Sequence, residues 1–162
     1  MPKIVILRGN SGSGKSTVAD ALQKKIGPGT LLLAQDNIRR EMLWVRDTPE
    51  AVNLLKHLVQ YGAQNCEVVI LEGILQSDVY DSLLLLARAL FPGQTFAYYF
   101  DIPFEETMRR HTERDKFLAF GEADMRRWWR EKDYVPYLCE TAISADMSIE
   151  EIVVRIYRDI TA

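Results

Sequence analysis

Apolar residues in this chain follow two rhythms. Four short runs, Lys3–Leu7, Thr30–Ala34, Val68–Leu71 and Thr95–Phe100, are apolar at nearly every position. Continuous runs of this kind predict strands covered on both faces, whereas a strand with one wet side would alternate. Between them apolar residues recur at helical spacing over Lys15–Ile26, Asp36–Val45, Glu50–Gln64 and Val79–Leu90, with Gly27-Pro28-Gly29 and Pro92-Gly93 as stops. Strands alternating with helices predict parallel crossovers and an α/β, doubly wound sheet. A fifth short strand is expected within Thr141–Ala145. The last helix is expected over Ile149–Ile160, where Ile149, Ile152, Val153, Ile156 and Ile160 form one core-facing stripe.

The length of 162 residues fits one domain, 1–162, with a single core. Hydrophobic residues at 48% and charged residues at 27% are ordinary for a globular protein, and a net charge of −3 gives no global attraction to nucleic acid. Cys66 and Cys139 have no metal-like or redox-like spacing and read as reduced thiols. The first strand starts almost at the N-terminus and no run reaches the length of a membrane span, so the expectation is a cytoplasmic protein without a signal peptide.

Chemistry enters where the first strand ends. Gly9-Asn10-Ser11-Gly12-Ser13-Gly14-Lys15-Ser16-Thr17 fits the spacing G-x-x-x-x-G-K-[ST] between a strand and a helix. In that setting the glycines let successive backbone N–H groups point at an anion, and the helix adds the positive end of its dipole. Lys15 supplies a full charge for the outer phosphates, and the Ser16 hydroxyl is placed for Mg²⁺. The stretch predicts binding of a nucleoside triphosphate.

The other strands deliver carboxylates to the same edge, where open parallel sheets bind ligands. Glu72 follows the third strand, where an acidic group can hold a metal-bound water or activate a nucleophile. Asp36 follows the second strand and has two readings, an N-cap for the next helix or a proton acceptor with Arg39 over the same edge. Asp101 before Ile102-Pro103 reads as structural, leading into the next helix. About thirty residues separate strands two and three, more than one crossover needs. This insertion, about 37–65, is the expected acceptor region, with Trp44, Arg46, His57 and Tyr61 as candidate lining residues, although His57 and the aromatics read first as packing residues.

From Phe104 to Lys132 charges of both signs crowd together. Helical spacing pairs Glu105 with Arg109, Glu106 with Arg110, both arginines with Glu113, Glu122 with Arg126 and Arg127 with Glu131. Arg114 has no acidic residue three or four positions away, and a lid over about 110–130 is expected to begin there. Trp128 and Trp129 are expected to dock the helix of Arg126 and Arg127 rather than to stack on a base.

With these residues in view the chain resembles the small phosphate-loop kinases grouped around zeta-type toxins, polynucleotide 5′-hydroxyl kinases and chloramphenicol phosphotransferases. Gly9–Thr17 is the superfamily's loop. Asp36-x-x-Arg39 is similar to the acceptor-hydroxyl motif of polynucleotide kinases, and Leu71-Glu72-Gly73 to the third-strand end of zeta-type toxins; Arg110 and Arg114 stand where the group has lid arginines. The resemblance implies a three-layer P-loop NTPase fold of the nucleotide kinase type, with a five-stranded parallel sheet and a helical lid. It implies an ATP- and Mg²⁺-dependent kinase, monomeric or homodimeric, acting on the hydroxyl of a small-molecule, nucleotide-sugar or nucleic-acid acceptor. Lys15, Asp36, Arg39 and Arg114 would be catalytic, Gly9 to Thr17 with Arg110 and Arg114 would bind nucleotide, and Ser16 and Glu72 would serve the metal. Glu72 stands where many relatives have Asp, which favours metal contact through water. No extended basic groove follows, so nucleic acid is the less favoured acceptor. Two other classes compete. A regulatory nucleotide switch would need D-x-x-G and N-K-x-D strings, and neither occurs. A non-catalytic ATP-binding subunit would bind ATP without transfer.

Overall fold

The computed structural model describes residues 1–45, 49–113 and 121–162. Five parallel strands, β1 (Lys3–Gly9), β2 (Leu31–Ala34), β3 (Val68–Gly73), β4 (Thr95–Phe100) and β5 (Thr141–Ile143), form one sheet in the order β2-β3-β1-β4-β5. The central β1 is apolar from Ile4 to Leu7 because both its faces are covered there. Ile4 and Ile6 join one core with Leu33, Val69 and Leu71, whereas Val5 and Leu7 join a second with Ile70, Tyr98 and Phe100.

Helices α3 (Pro49–Asn65) and α4 (Ser77–Leu90) cover the first face through Leu55, Val59, Leu83 and Leu84. Helices α1 (Lys15–Ile26) and α7 (Ile149–Thr161) cover the second through Val18, Leu22, Ile152 and Ile156. The expected stripe of α7 is the buried one, and Ser148 caps that helix by accepting the Glu151 N–H at 3.1 Å. Gly62 sits mid-helix in α3, at a cost of about 1 kcal/mol against Ala. A Cβ there would overlap Val69 and Leu31, so the glycine lets α3 lie close on the sheet.

The segment after β2 departs from expectation. Instead of one helix over Asp36–Val45, a single α turn, α2 (Gln35–Asn37), passes into a wider π-type turn at Ile38–Met42. Ala34 holds the N-cap position and Asp36 lies inside the turn, so the N-cap reading of Asp36 does not hold. Asp101 is structural by a different route, accepting hydrogen bonds from Lys132 Nζ (2.8 Å) and Tyr134 OH (3.0 Å) across the chain. Of the expected lid, about 110–130, the structure describes the end of helix α5 (Phe104–Thr112) and the short α6 (Glu122–Trp128); residues 114–120, Arg114 among them, lie outside the described residues, as does Arg46.

Candidate active site

The strand register assembles the site. Glu72 on β3 stands between Leu7 of β1 and Ala34 of β2, so the ends of three adjacent strands bring Gly9, Glu72 and the Gln35-Asp36 turn to one edge. From β1 the chain turns through the glycine loop into α1, whose N-cap is Gly14. Gly12 has φ +79°, and a Cβ there would lie 2.8 Å from the Thr107 carbonyl oxygen and 3.2 Å from Met125 Cε. The loop is thus pressed against α5 and α6, with no room for a side chain at that point.

Within the loop Lys15 curls back. Its Nζ donates to the Asn10 carbonyl (2.7 Å) and to Ser13 Oγ (3.3 Å), and the side chain is buried. Ser16 Oγ donates to Glu72 Oε1 at 3.0 Å, and Glu72 is 4% exposed. This hydroxyl and carboxylate are hard oxygen donors suited to Mg²⁺, and among the described residues no group of three or more His, Cys, Asp or Glu could hold a metal on its own. That donor set fits a magnesium ion bound through one or two protein oxygens together with phosphates and water.

A cleft opens from the loop toward β2 and β3, lined by Ser11, Lys15, Asp36, Arg39, Glu72 and Trp128, among others. Asp36 Oδ1 accepts from Arg39 Nη2 (2.6 Å) and Arg40 Nε (3.0 Å). Its side chain keeps 34% of its surface open and Arg39 only 11%. The expected neighbourhood of Asp36, Arg39, Lys15, Ser16 and Glu72 is therefore real. Gln35 and Gln76 also line the cleft, and Gln35 is fixed by donating to Tyr80 OH at 2.8 Å. The insertion contributes less than expected: Trp44 is 91% exposed, His57 and Tyr61 are also exposed, and none of the three lines the cleft.

A second groove lies across the loop, between Gly12, Gly14 and Thr17 on one side and Arg110, Met147 and Ile149 on the other. Arg110 donates to the Ser13 carbonyl (2.9 Å), to Ala145 O (3.3 Å) and to Glu106 Oε1 (2.9 Å). Glu106 is shared with Arg109, and hydrogen bonds from Arg109 and then Arg110 hold its carboxyl down to about 2. Arg109 takes Glu106 and Glu113 in place of Glu105. Arg127 takes Asp124, because α6 ends at Trp128 and Glu131 is off the helix, where it accepts from Trp129 Nε1 (3.0 Å).

The two tryptophans divide their roles. Trp129 meets Phe104 edge-on at 5.3 Å, beside the Arg126 guanidinium 4.2 Å above the same ring, and so docks α6 as expected. Trp128 instead faces the cleft. Arg8 is fully buried, a feature the strand pattern gave no reason to single out. It reaches Glu140 Oε1 (2.6 Å), Asp133 Oδ2 (3.1 Å) and, from Nε and Nη2, the Leu75 carbonyl (both 3.1 Å). Asn10, expected at the nucleotide, turns its side chain away to the Arg130 backbone, donating to its carbonyl (2.6 Å) and accepting its N–H (2.8 Å).

Solved structures share this fold over nearly their whole length. An APS kinase of Mycobacterium tuberculosis, in complex with AMPPNP and APS, matches with TM-score 0.72 and 20% identity over 99% of this chain and 98% of that one. A shikimate kinase of Acinetobacter baumannii in complex with shikimate matches with TM-score 0.62 and 15% identity over 99% and 94%. A gluconokinase of Sinorhizobium meliloti matches with TM-score 0.61 and 18% identity over 99% and 96%. At these identities the likeness is one of fold, the three-layer P-loop NTPase fold expected from the sequence. No curated protein matches the sequence. A likeness of fold alone does not single out the zeta-type toxin, polynucleotide kinase or chloramphenicol phosphotransferase group. The family model described as an AAA domain matches residues 4–134, and the chain belongs to that family, AAA_33.

Proposed function

We propose that the protein transfers the γ-phosphoryl group of ATP to a hydroxyl of a small acceptor. One observation carries this reading: the phosphate loop lies between two grooves, and the groove on the Glu72 side presents a half-open carboxylate, Asp36, held by two arginines. A triphosphate threaded along the loop has its nucleoside in the Arg110 groove and its γ-phosphate toward Asp36. The fold likeness to an APS kinase, a shikimate kinase and a gluconokinase supports small acceptors.

Phosphoryl transfer asks mainly for positioning and charge stabilisation. The loop amides from Gly9 to Thr17 and Lys15 receive the β- and γ-phosphates. Ser16, with Glu72 behind it, would hold Mg²⁺, which would offset phosphate charge. The acceptor oxygen attacks the γ-phosphorus, the bond to the β,γ-bridging oxygen breaks, and Asp36 takes the acceptor's proton. Arg39 and Arg40 fix that carboxylate and face the acceptor. Arg110 holds the nucleotide side, and Arg114 is assigned to the transferring group from its place in the lid sequence. The test is a screen of hydroxylated acceptors, including nucleosides, nucleotide-sugars, sugar acids and oligonucleotides, with ATP labelled in its γ-phosphate. Label on an acceptor, lost in Lys15→Ala, supports the reading; tight ATP binding with no labelled acceptor across the panel favours a non-catalytic subunit.

A further inference from the structure

The same residue of the phosphate loop touches two things at once. The Asn10 backbone carbonyl accepts Lys15 Nζ at 2.7 Å, and the Asn10 side chain pairs with both the N–H and the carbonyl of Arg130. Asn10 is 6% exposed, so its amide is a buried polar group whose two ends are satisfied by one backbone unit. Arg130 lies two residues beyond Trp128, the last residue of α6 and part of the cleft wall. Its guanidinium crosses to Asp78 in the first turn of α4 at 3.2 Å, and hydrogen bonding from Arg130 lowers the Asp78 carboxyl below its ordinary range.

Three further contacts hold this segment between the loop, α5 and α4. Met125 of α6 is 2% exposed, and its Cε fills the space that a side chain at Gly12 would need. Trp129 and Arg126 anchor on Phe104. Asp133 accepts the Ser77 N–H (2.9 Å) and hydroxyl (2.6 Å), pinning the returning chain to the start of α4. Between the Met125 and Asp133 anchors, the Asn10 amide ties the Arg130 backbone to the loop.

We infer that Asn10 is a positioning residue that couples nucleotide in the phosphate loop to the acceptor wall, by fixing the Arg130 backbone and through it the indole of Trp128. The inference rests on the kinase reading, because it takes a triphosphate at Lys15 as the event transmitted. A phosphate group drawing on Lys15 shifts the Asn10 backbone, and a planar amide bonded at both ends passes that shift to Arg130. Nucleotide therefore shapes the wall the acceptor meets, and an acceptor resting on Trp128 tightens nucleotide by the same factor.

The experiment uses the full chain with Mg²⁺ and a non-hydrolysable ATP analogue as the probe. Hydrogen exchange of the Arg130 amide and Trp128 emission are followed together, the latter as the signal that Trp128→Phe removes from a Trp44→Phe background. In the parent protein the analogue slows Arg130 exchange and moves Trp128 emission. In Asn10→Ala the Arg130 amide exchanges about tenfold faster, as expected for loss of a buried hydrogen bond in a locally opening segment. At analogue concentrations that saturate the variant, whatever its affinity, Trp128 emission no longer moves. A merely structural asparagine would lower the melting temperature and leave the Trp128 response in place, and that result overturns the inference. So does a parent protein that binds the analogue without any Trp128 response. Failure of the parent to bind the analogue at all refutes the kinase reading first, and the inference with it.

Discussion

Arg8→Met is the sharpest test of how the cleft is held. Methionine keeps the length and apolar bulk of the stem but removes the guanidinium. Glu140, whose side chain is 0% exposed, then keeps the Val135 N–H at 2.7 Å and loses its cation at 2.6 Å. Asp133 is 17% exposed and retains Ser77, so its loss is smaller. The Leu75 carbonyl loses both of its guanidinium donors. Removing one partner of a buried pair costs about 3–5 kcal/mol, because the remaining charge is stranded. For a domain of this size that corresponds to a fall in Tm of about 6–20 °C. Adding Glu140→Gln removes the stranded charge, so Arg8→Met/Glu140→Gln should regain a large part of the loss, and thermal unfolding of the four proteins gives the coupling directly. Strictly additive losses, or a fall of less than about 2 °C for Arg8→Met, would refute the claim that this network is a buried, interdependent unit. Because Leu75 lies between Ile74 and Gln76 of the cleft wall, the variant should also weaken acceptor binding more than ATP binding.

Arg110→Ala should raise the KM for ATP about tenfold, the worth of a charge-assisted hydrogen bond, whereas Arg109→Ala, 58% exposed and paired along α5, should change it by less than about twofold. At high pH, Tyr134 is pushed up to about 12 by burial and then by Asp101, and burial with Asp159 moves Tyr98 above the ordinary phenol range. Raised folded values mean this contribution is fully present below about pH 10 and is lost as pH rises toward about 12. Denaturant unfolding across that range should show the decline, and Tyr134→Phe should reduce it.

Much of the fold could be read from the sequence because periodicity and burial agree in it. The runs around Ile4–Leu7 and Val69–Leu71 are apolar at every position since helices cover both faces, and the α7 stripe matches its buried residues. The phosphate loop was equally readable, being a local motif in a local context. The strand end brings Asp36 to the cleft as the sequence suggests, but not as a cap, because the turn starts one residue earlier and winds wider than an α-helix. Arg8 could not be read, since its carboxylate partners lie 125 and 132 positions away and only the folded chain brings them together. The Asn10 pairing with Arg130, 120 positions away, is hidden for the same reason, inside a motif whose usual reading assigns every residue to phosphate. Trp128 and Trp129 are neighbours in sequence with opposite surroundings, decided by where α6 ends.

The central claim is that Asp36 takes the acceptor's proton. Asp36→Asn preserves the size of the side chain and removes its basicity. Its ion pairs with Arg39 and Arg40 are partly open to solvent, with 34% of the Asp36 side chain exposed, so the change should cost stability no more than about 1 kcal/mol. General-base catalysis contributes about 10²- to 10⁴-fold. The decisive measurement is kcat of Asp36→Asn on the acceptor found by the labelled-ATP screen, beside its melting temperature and ATP affinity. The account predicts near-normal melting, near-normal ATP binding and a fall in kcat of about 10²-fold or more. A folded, ATP-binding Asp36→Asn protein with wild-type kcat would contradict it and pass the role of base to Glu72.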